Sequence, residues 1–302
     1  MSIKSRIFNK GSIPVELFDL NVTLSSGQVF GWKRMGEWWI GEIYGNIVKL
    51  RQKSNRLEFE LLYGKERNIK KQIKKYFTLD ISSKKIKDIY VELSKDRILK
   101  NAIKEFKGLR IIRQEPWYCT ATFVCSSFSN IPRIEKMIEK IKETHGTEIN
   151  KEQRLYLFPS IKDIRKSDLS KLRKCGLGFR DKYLHEIAKR TSEKWFKEIE
   201  KKEYKTGKEK LTRLPGVGEK VADCILLFGY GKGEAFPIDV WIGRIMKKLY
   251  NKEIKNYLEK NGRKTDKITD KDIREFAMHK WNGNAGLAQQ FLYMYARKHK
   301  IR

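Results

Sequence analysis

Cysteine is scarce in this sequence, and its spacing excludes several kinds of site. Only four of the 302 residues are cysteine, and they stand at positions 119, 125, 175 and 224. No two of them form a CxxC pair or a tight cluster, so the sequence encodes neither a zinc site nor an iron–sulfur site. We expect reduced thiols, no metal and no organic cofactor.

Long apolar runs are also missing. The N-terminus, MSIKSRIFNK, lacks the apolar core of a signal peptide, and the longest apolar stretches fall far short of a membrane span. We therefore expect a protein without a signal peptide or a membrane partner, which stays in the cytoplasm in association with the nucleoid. No Gly-, Ser- or Pro-rich linker and no internal repeat divides the chain.

Acidic residues are heavily outnumbered. The sequence has 67 Lys plus Arg against 37 Asp plus Glu, a formal net charge of +30. A chain with this excess repels itself unless it meets an acidic partner, and nucleic acid is the natural one because bound cations release its counterions. A short run such as KKQIKK at 70–75 is more often a solvated surface. The excess over the whole chain is what indicates nucleic acid.

The hydrophobic period changes along the chain. Between about residues 20 and 64, the segments VFGWK, WWIGEIY, IVKLRQ and LEFELLY are strand-like and are separated by the turn-prone MGE and YGN. From about residue 66 the period is helical, as in IPRIEKMIEKIKETHG, where Gly146 marks a helix end, and Pro159 and Ser160 mark the start of a later helix. We predict an α+β fold, in which an N-terminal antiparallel sheet domain with helices (residues 1–105) packs on a mostly α-helical body (residues 106–302).

The string LPGVGEK at 214–220 predicts a compact hairpin. Pro215, Gly216 and Gly218 favour a tight turn, and the next helix is expected to begin at about Glu219. The N–H groups of both glycines and of the helix start would then point outward together, which suits a phosphate. Strings of this kind also occur as ordinary turns between helices, so the spacing alone leaves both interpretations open.

Two residues near this hairpin suggest chemistry. Lys220 lies in the first turn of the helix, where the helix dipole disfavours a cation and favours the neutral, nucleophilic amine. Asp239 follows Pro237 and is expected at the N-cap of the next helix. Taken singly, the lysine would be a surface residue and the aspartate only a cap. Joined by one short helix, they fit an amine nucleophile and a carboxylate that stabilises a cation.

The span from LPGVGEK to FPIDVWIGR resembles the helix–hairpin–helix motif of the DNA glycosylase superfamily, and more closely the 8-oxoguanine DNA glycosylase/AP lyase family. An ordered series of segments carries the resemblance over most of the chain: SGQVFGW at 26–32, FKGLRIIRQEPWYC at 106–119, CSSFSNIPRI at 125–134, FPS at 158–160, GLGFRDKY at 176–183 and AGLAQQFLY at 285–293. It implies a bifunctional base-excision repair enzyme that excises 8-oxoguanine, preferably opposite cytosine, and nicks the abasic site by β-elimination.

The resemblance also assigns the catalytic residues. Lys220 would attack C1′ of the damaged nucleoside, expel the base and form a Schiff base, while Asp239 would stabilise positive charge on the sugar. Because the target atom is buried in the duplex, the nucleotide must be flipped into a pocket.

Four residues would form the pocket for the flipped base. Cys224 lies four residues after Lys220 on the same helical face and would pack on one side of the base, although a small core residue is the common fate of such a cysteine. Gln289 would hydrogen-bond the base edge, and Tyr293, where the family usually has phenylalanine, would stack on its other side. Gly27 matches the glycine whose carbonyl accepts the additional N7–H of oxidised guanine.

The remaining assignments concern DNA. Arg133 and Arg180 match arginines that contact the orphaned cytosine, and Phe179 matches an aromatic wedge that fills the vacated stack. Other expected DNA contacts are Asn130, Gly216, Gly218 and Trp241.

This sequence departs from the better-known members at three positions. Phe128 replaces an asparagine that enters the helix gap, so weaker dependence on the opposite base is expected. Trp241 replaces a histidine, and Ala296 replaces the acidic partner of that histidine. The last two changes are mutually consistent and suggest a different phosphate contact or pocket wall.

Two alternatives compete with this hypothesis. A related glycosylase for another lesion, an oxidised pyrimidine or an alkylated purine, would commonly lack the segment around Gly27, lack the lysine or carry a cysteine cluster. A non-catalytic DNA-binding protein would use the hairpin only to hold phosphate and would need neither Lys220 nor Asp239. The expected partner is double-stranded DNA that contains 8-oxoguanine, bound by a monomer.

Overall fold

The N-terminal part of the molecule is built on an antiparallel sheet. The computed structural model describes residues 9–65, 67–263 and 265–301. In these ranges the larger sheet has five strands in the order β1-β5-β4-β3-β2. The strands are β1 (Asn9–Pro14), β2 (Lys33–Met35), β3 (Trp38–Ile43), β4 (Asn46–Lys53) and β5 (Arg56–Tyr63). A small hairpin of β6 (Thr147–Asn150) and β7 (Leu155–Leu157) forms a second sheet.

Alternation and turn chemistry explain why these segments form strands. Along β5, Leu57, Phe59 and Leu61 are buried while the residues between them face outward. The turn between β3 and β4 has positive φ at both of its residues, 47° at Tyr44 and 76° at Gly45, which matches the right-handed twist of a two-residue hairpin. The predicted strands WWIGEIY, IVKLRQ and LEFELLY are confirmed.

The predicted strand VFGWK is wrong, because only its last residue belongs to β2. Val29, Phe30 and Trp32 are all buried, so the segment does not alternate between a core face and a solvent face. Instead it fills the junction between sheet and helices: Phe30 packs in a helical core, whereas Val29 and Trp32 pack in the sheet core. Gly41 makes room for the Trp32 ring, since a Cβ there would lie 2.2 Å from it.

The rest of the described chain is mostly helical, which confirms the predicted α+β class. The helices are α1 (Leu20–Leu24), α2 (Ile69–Tyr76), α3 (Ser83–Leu93), α4 (Arg97–Glu105), α5 (Pro116–Cys125), α6 (Ile131–His145), α7 (Ile161–Lys166), α8 (Leu169–Leu172), α9 (Arg180–Arg190), α10 (Glu193–Glu200), α11 (Tyr204–Thr212), α12 (Glu219–Tyr230), α13 (Val240–Leu249), α14 (Asn251–Lys260), α15 (Asp270–Trp281) and α16 (Ala285–Lys298). Within the described ranges, none of these helices is both long and apolar enough to cross a membrane.

Helix boundaries follow local capping signals. Gly146 ends α6 as predicted, and Ser160 caps α7 in a capping box with Asp163. The helix α12 begins at Glu219, and Asp239 caps α13. All four predicted boundaries are confirmed.

The buried residues form three clusters that do not follow chain order. Helices α3 and α4, which precede residue 106, share a core with α13 to α16, and the rings of Tyr90 and Phe291 meet edge to face at 5.6 Å. The N-terminal residues thus pack on both the sheet and the C-terminal helices. The domain boundary near residue 105 stays a prediction.

A buried ion cluster fixes α12, the second helix of the helix–hairpin–helix. Asp223 is fully buried and accepts hydrogen bonds from Tyr204 Oη at 2.6 Å, from Lys208 Nζ at 3.2 Å and from Arg274 Nε at 2.8 Å. Lys208 also meets Glu219 at 2.6 Å. Because the two cations come from α11 and α15, one carboxylate ties three helices together.

We expect Asp223→Asn to lower the free energy of unfolding by about 3–5 kcal/mol, because the variant leaves Lys208 and Arg274 buried without their main counter-charge. Glu219→Gln is the matched control in the same cluster. The Glu219 side chain is 62% exposed, so its loss should cost only about 0–1 kcal/mol. Denaturant unfolding of both variants measures the difference, and equal losses would contradict the central place of Asp223.

Candidate active site

One cleft gathers most of the predicted functional residues. It has a volume of about 1410 Å³ and lies between the 126–130 loop, the hairpin, α13 and α16. Eleven of the thirteen residues predicted from the sequence line it: Gly27, Asn130, Phe179, Gly216, Gly218, Lys220, Cys224, Asp239, Trp241, Gln289 and Tyr293. Arg133 and Arg180 are not part of its lining. Residues more than 260 positions apart along the chain thus meet in one space.

The hairpin presents its backbone to the solvent side of this cleft. Gly216 has a φ of 75°, and a Cβ there would lie 2.5 Å from the Tyr183 ring, so only glycine fits. Gly218 is the N-cap of α12 and provides no capping side chain, and the space around its missing Cβ is open. In the part of the chain that the structure describes, the first N–H groups of α12 therefore have no capping side chain, as an anion site at a helix N-terminus requires.

Lys220 projects from the first turn of α12 and is half-buried. Its Nζ donates to Ser126 Oγ at 3.2 Å and lies 5.5 Å from the centre of the Phe123 ring. Both partners belong to α5 or its C-cap. The lysine is thus held by a second helix and aimed into the cleft.

Cys224 lies one turn after Lys220 and is buried. Burial raises the pKa of its thiol to about 12, although the positive charge of Lys220 opposes this shift. The thiol stays protonated at neutral pH, so it offers a soft apolar surface and does not compete with the lysine as a nucleophile.

Asp239, the second residue predicted to be catalytic, lines the same cleft. Its Oδ1 accepts the N–H of Ile242 at 2.9 Å as the N-cap of α13. Burial raises the pKa of this carboxyl group, while the helix N–H groups and the positive charges of Lys220 and Arg297 favour the ionised form. A desolvated carboxylate of this kind interacts strongly with a cation that forms beside it.

Gln289 carries a buried acceptor that has no partner among the described residues. Its Nε2 donates to the carbonyl of Pro237 at 3.1 Å, whereas no donor in the described ranges reaches its Oε1. Leaving a buried polar atom unpaired costs about 1–3 kcal/mol. Since Gln289 lines the cleft, this oxygen is suited to accept a donor from a bound molecule.

Gly27 and Tyr293 both line the cleft and lie against each other. Gly27 has a φ of 79°, and a Cβ there would lie 3.2 Å from Tyr293 Cε1 and Oη. None of the described residues donates a hydrogen bond to the Gly27 carbonyl. The position thus requires glycine for its backbone and for the approach of the ring, and its carbonyl is a second free acceptor.

The two predicted cytosine-contacting arginines have different surroundings. Arg133 is exposed on α6. Arg180 is 2% exposed, and its guanidinium donates to the carbonyls of Ser127, Phe128 and Leu177. It would have to give up these bonds to reach a base. Its contact with DNA stays a prediction, and in this structure it clamps the 126–130 loop.

The aromatic residues at the mouth of the cleft are exposed. Phe179 is 50% exposed and Phe128 is 94% exposed, with a φ of 49°. The Arg180 guanidinium lies 4.5 Å from the centre of the Phe179 ring while it clamps the loop that carries Phe128. One buried arginine therefore positions both rings. Asn130, at the end of this loop, caps α6 by accepting the N–H of Arg133 at 3.0 Å.

Trp241 forms part of the cleft wall. It packs against the same core cluster that contains the fully buried Ala296, so the two departures from the family pattern lie in one apolar region. The guanidinium carbon of Arg244 lies over the Trp241 ring, 5.7 Å from the ring centre.

Sequence reasoning missed several residues of this site. Ser126 contacts Lys220, and Arg297 contacts the Tyr293 ring. The carbonyl of Pro237 orients the Gln289 amide. Ser126 lies inside the quoted CSSFSNIPRI segment, which was the available signal. A backbone carbonyl leaves no signal in a sequence. In the described ranges, no group of three or more His, Cys, Asp or Glu side chains is arranged to hold a metal.

Comparison with known families decides the assignment. Residues 12–119 match the N-terminal domain of 8-oxoguanine DNA glycosylase, and residues 121–275 match the HhH-GPD superfamily of base excision DNA repair proteins. The protein belongs to the HhH-GPD superfamily. The family predicted from the sequence is therefore confirmed.

Relatives in this superfamily span nearly the whole chain. A probable N-glycosylase/DNA lyase of Methanothermobacter thermautotrophicus is 29% identical over 95% of this chain and 96% of its own. The N-glycosylase/DNA lyase of Saccharomyces cerevisiae is 29% identical over 95% of this chain and 85% of its own. The predicted class of enzyme, a bifunctional glycosylase and lyase, agrees with these names.

Solved structures give the same result. The Clostridium acetobutylicum 8-oxoguanine glycosylase/lyase, in complex with double-stranded DNA that contains cytosine opposite 8-oxoguanine, is 30% identical with a TM-score of 0.83, covering 95% of this chain and 94% of that one. A 3-methyladenine DNA glycosylase of Archaeoglobus fulgidus, 19% identical with a TM-score of 0.76, shares the fold.

The environment of Asp239 predicts a pH dependence of base excision. The ionised carboxylate is the form that stabilises a cation, so Asp239 should add an acid limb of its own, a steeper fall of kcat/KM below its pKa than protonation of an amine nucleophile alone would cause. Because burial raises that pKa, the acid limb should lie above the value of about 3.9 typical of a free aspartate. Asp239→Asn should lower the rate by about 10²–10³-fold and abolish this limb. A pH–rate profile measures both.

The matched control is Asp270→Asn, since Asp270 is an exposed carboxylate that lines the same cleft. It should keep the limb of the unmodified protein. An unchanged acid limb in Asp239→Asn would show that another group titrates.

Proposed function

We propose that this protein flips 8-oxoguanine out of duplex DNA, excises it through a Schiff base on Lys220 and nicks the abasic strand by β-elimination. The observation that carries the proposal is the meeting of Lys220 and Asp239 with the unpaired Gln289 oxygen in one cleft. Such a reaction requires a nucleophile, a group that stabilises a cation, and a hydrogen-bonding group that recognises the edge of the flipped base.

Binding begins with the phosphate backbone. The uncapped start of α12 and the hairpin glycines accept a phosphate, and the exposed side chains of Arg244, Lys247 and Arg297 surround the same cleft. The formal charge of +30 attracts duplex DNA over a longer range. These contacts bind DNA of any sequence, which an enzyme that searches for rare lesions requires. All of them come from one chain, so a monomer suffices.

The bond-breaking step uses the neutral amine of Lys220. Its nitrogen lone pair attacks C1′, the glycosidic bond breaks, and the base leaves with the bonding electrons and takes up a proton. The nitrogen then loses one of its two protons, the C1′–O4′ bond breaks with a proton passing to O4′, and the remaining nitrogen lone pair forms the iminium at C1′. Removal of a C2′ proton then expels the 3′ phosphate and nicks the strand. Throughout, the Asp239 carboxylate stabilises positive charge on the sugar and the iminium.

Recognition of the base follows from two unpaired acceptors. The pairing edge of guanine presents N–H donors at N1 and N2, which suit Gln289 Oε1 because its amide nitrogen is committed to Pro237. The Gly27 carbonyl suits the N7–H that only oxidised guanine carries. Unmodified guanine would place a lone pair there, and the unsatisfied contact would discriminate against it.

Borohydride added during reaction with an 8-oxoguanine:cytosine duplex should trap a covalent protein–DNA adduct, because it reduces the Schiff base. Lys220→Gln should abolish trapping. Lys247→Gln is the control, since Lys247 is an exposed lysine in the same cleft and its loss removes the same charge. Denaturing gel electrophoresis measures the adduct, and full trapping by Lys220→Gln would refute the assignment of the nucleophile.

Dependence on the opposite base should be shallow. Hydrogen-bonding side chains distinguish one base from another, whereas the ring of Phe128 is apolar and makes no such bonds. We therefore expect excision rates opposite the four bases to lie within about tenfold of one another. Any remaining preference for cytosine should disappear in Arg133→Ala, since Arg133 is the exposed guanidinium of the predicted pair. One cleavage assay with four duplexes tests this, and a steep preference for cytosine would contradict it.

A further inference from the structure

The turn that carries Gly27 is held by buried amide side chains. Residues 25–28 follow α1, and Gln28 is fully buried beneath them. The Gln28 amide nitrogen donates to Ser26 Oγ and to the Arg110 carbonyl, both at 2.8 Å, and its oxygen accepts the N–H of Ile112 at 2.8 Å. These bonds anchor the turn to the segment that leads into α5, so its shape is fixed from below.

Two further glutamines hold the carbonyls on either side of Gly27. Gln290 Nε2 donates to the Ser26 carbonyl at 2.7 Å, and Gln114 Nε2 donates to the Gln28 carbonyl at 2.7 Å. Both glutamines are 2% exposed. Because the carbonyls of residues 26 and 28 are both engaged, the peptide group of Gly27 between them has little freedom to turn.

The Gln290 contact joins two parts of the base pocket. Gln290 directly follows Gln289 on α16, and the same helix carries Tyr293, whose ring lies against Gly27. The Ser26–Gln290 bond spans 264 residues of sequence. This bond therefore sets the distance between the turn, which carries the Gly27 carbonyl, and α16, which carries Gln289 Oε1.

We propose that Gln290 is a positioning residue for lesion recognition, which holds the Gly27 carbonyl and the Gln289 amide at the spacing that matches the edges of 8-oxoguanine. The inference rests on the proposed function. Hydrogen-bond strength falls steeply with distance and angle, so a turn that drifts from α16 no longer accepts both donors at once. Gln290 does not touch the base.

Gln290→Met tests this inference, because methionine keeps the length and volume of the side chain but cannot donate to the Ser26 carbonyl. Two reactions of the variant are compared: single-turnover excision of 8-oxoguanine, and nicking of a preformed abasic site. Both use Lys220, but only the first needs the base pocket. We expect excision to fall about tenfold or more, as the loss of one buried hydrogen bond implies, and nicking to stay within about twofold.

Gln52→Met is the matched control. Gln52 donates to the Phe18 carbonyl at 2.9 Å from the sheet, away from the cleft, and its variant should leave the ratio of the two rates unchanged. Gln290→Asn covers the case in which Gln290→Met does not fold. It keeps an amide that is one methylene too short, and we expect a loss in the same direction.

Three outcomes decide between the ideas. Equal losses in excision and nicking, or no loss in either, would overturn the positioning role and leave the proposed function intact. A selective loss of excision supports the role. If the unmodified protein nicks abasic sites but does not excise 8-oxoguanine, the proposed function fails and this inference fails with it.

Discussion

The burial of Asp223 between two cations is the interaction on which helix α12 depends. It ties α12 to α11 and α15, and α12 carries the uncapped N-terminus of the hairpin, Lys220 and Cys224. A buried ion cluster is expensive to desolvate and adds little net stability. Its directional bonds instead specify one arrangement of three helices, so the N-terminus of α12 and Lys220 keep a fixed position relative to α11 and α15.

The second constraint is the joining of remote parts of the chain around the cleft. Lys220 is held by Ser126 at the end of α5, and the 126–130 loop is held by Arg180 at the start of α9. The turn at Gly27 is tied to α16 through Gln290. In each case a buried polar side chain bonds to a loop, and the loop presents the functional group. The helices thereby fix the positions of loop segments that have no regular secondary structure.

The sequence predicted the local features of this molecule well. Gly146, Ser160 and Asp239 act through bonds to residues three or four positions away, so a single window contains the whole signal. The strand prediction failed at VFGWK. Val29, Phe30 and Trp32 are all buried because the segment packs against both the sheet core and a helical core, and the local sequence does not show the second of these cores. The Asp223 cluster and the Arg180 clamp are likewise contacts between segments that are distant in the sequence. Backbone carbonyl acceptors cannot be predicted from residue type, because every residue has one. Family resemblance supplied the long-range part of the site.

The state of the cysteines has a consequence for when the enzyme can work. All four are buried, and burial raises the pKa of every one of them, to about 12 for Cys125 and Cys224. Peroxide attacks thiolates far faster than thiols, so these side chains resist the oxidants that create 8-oxoguanine. A pocket lined by Cys224 can therefore remain intact during oxidative stress, when the demand for repair is greatest.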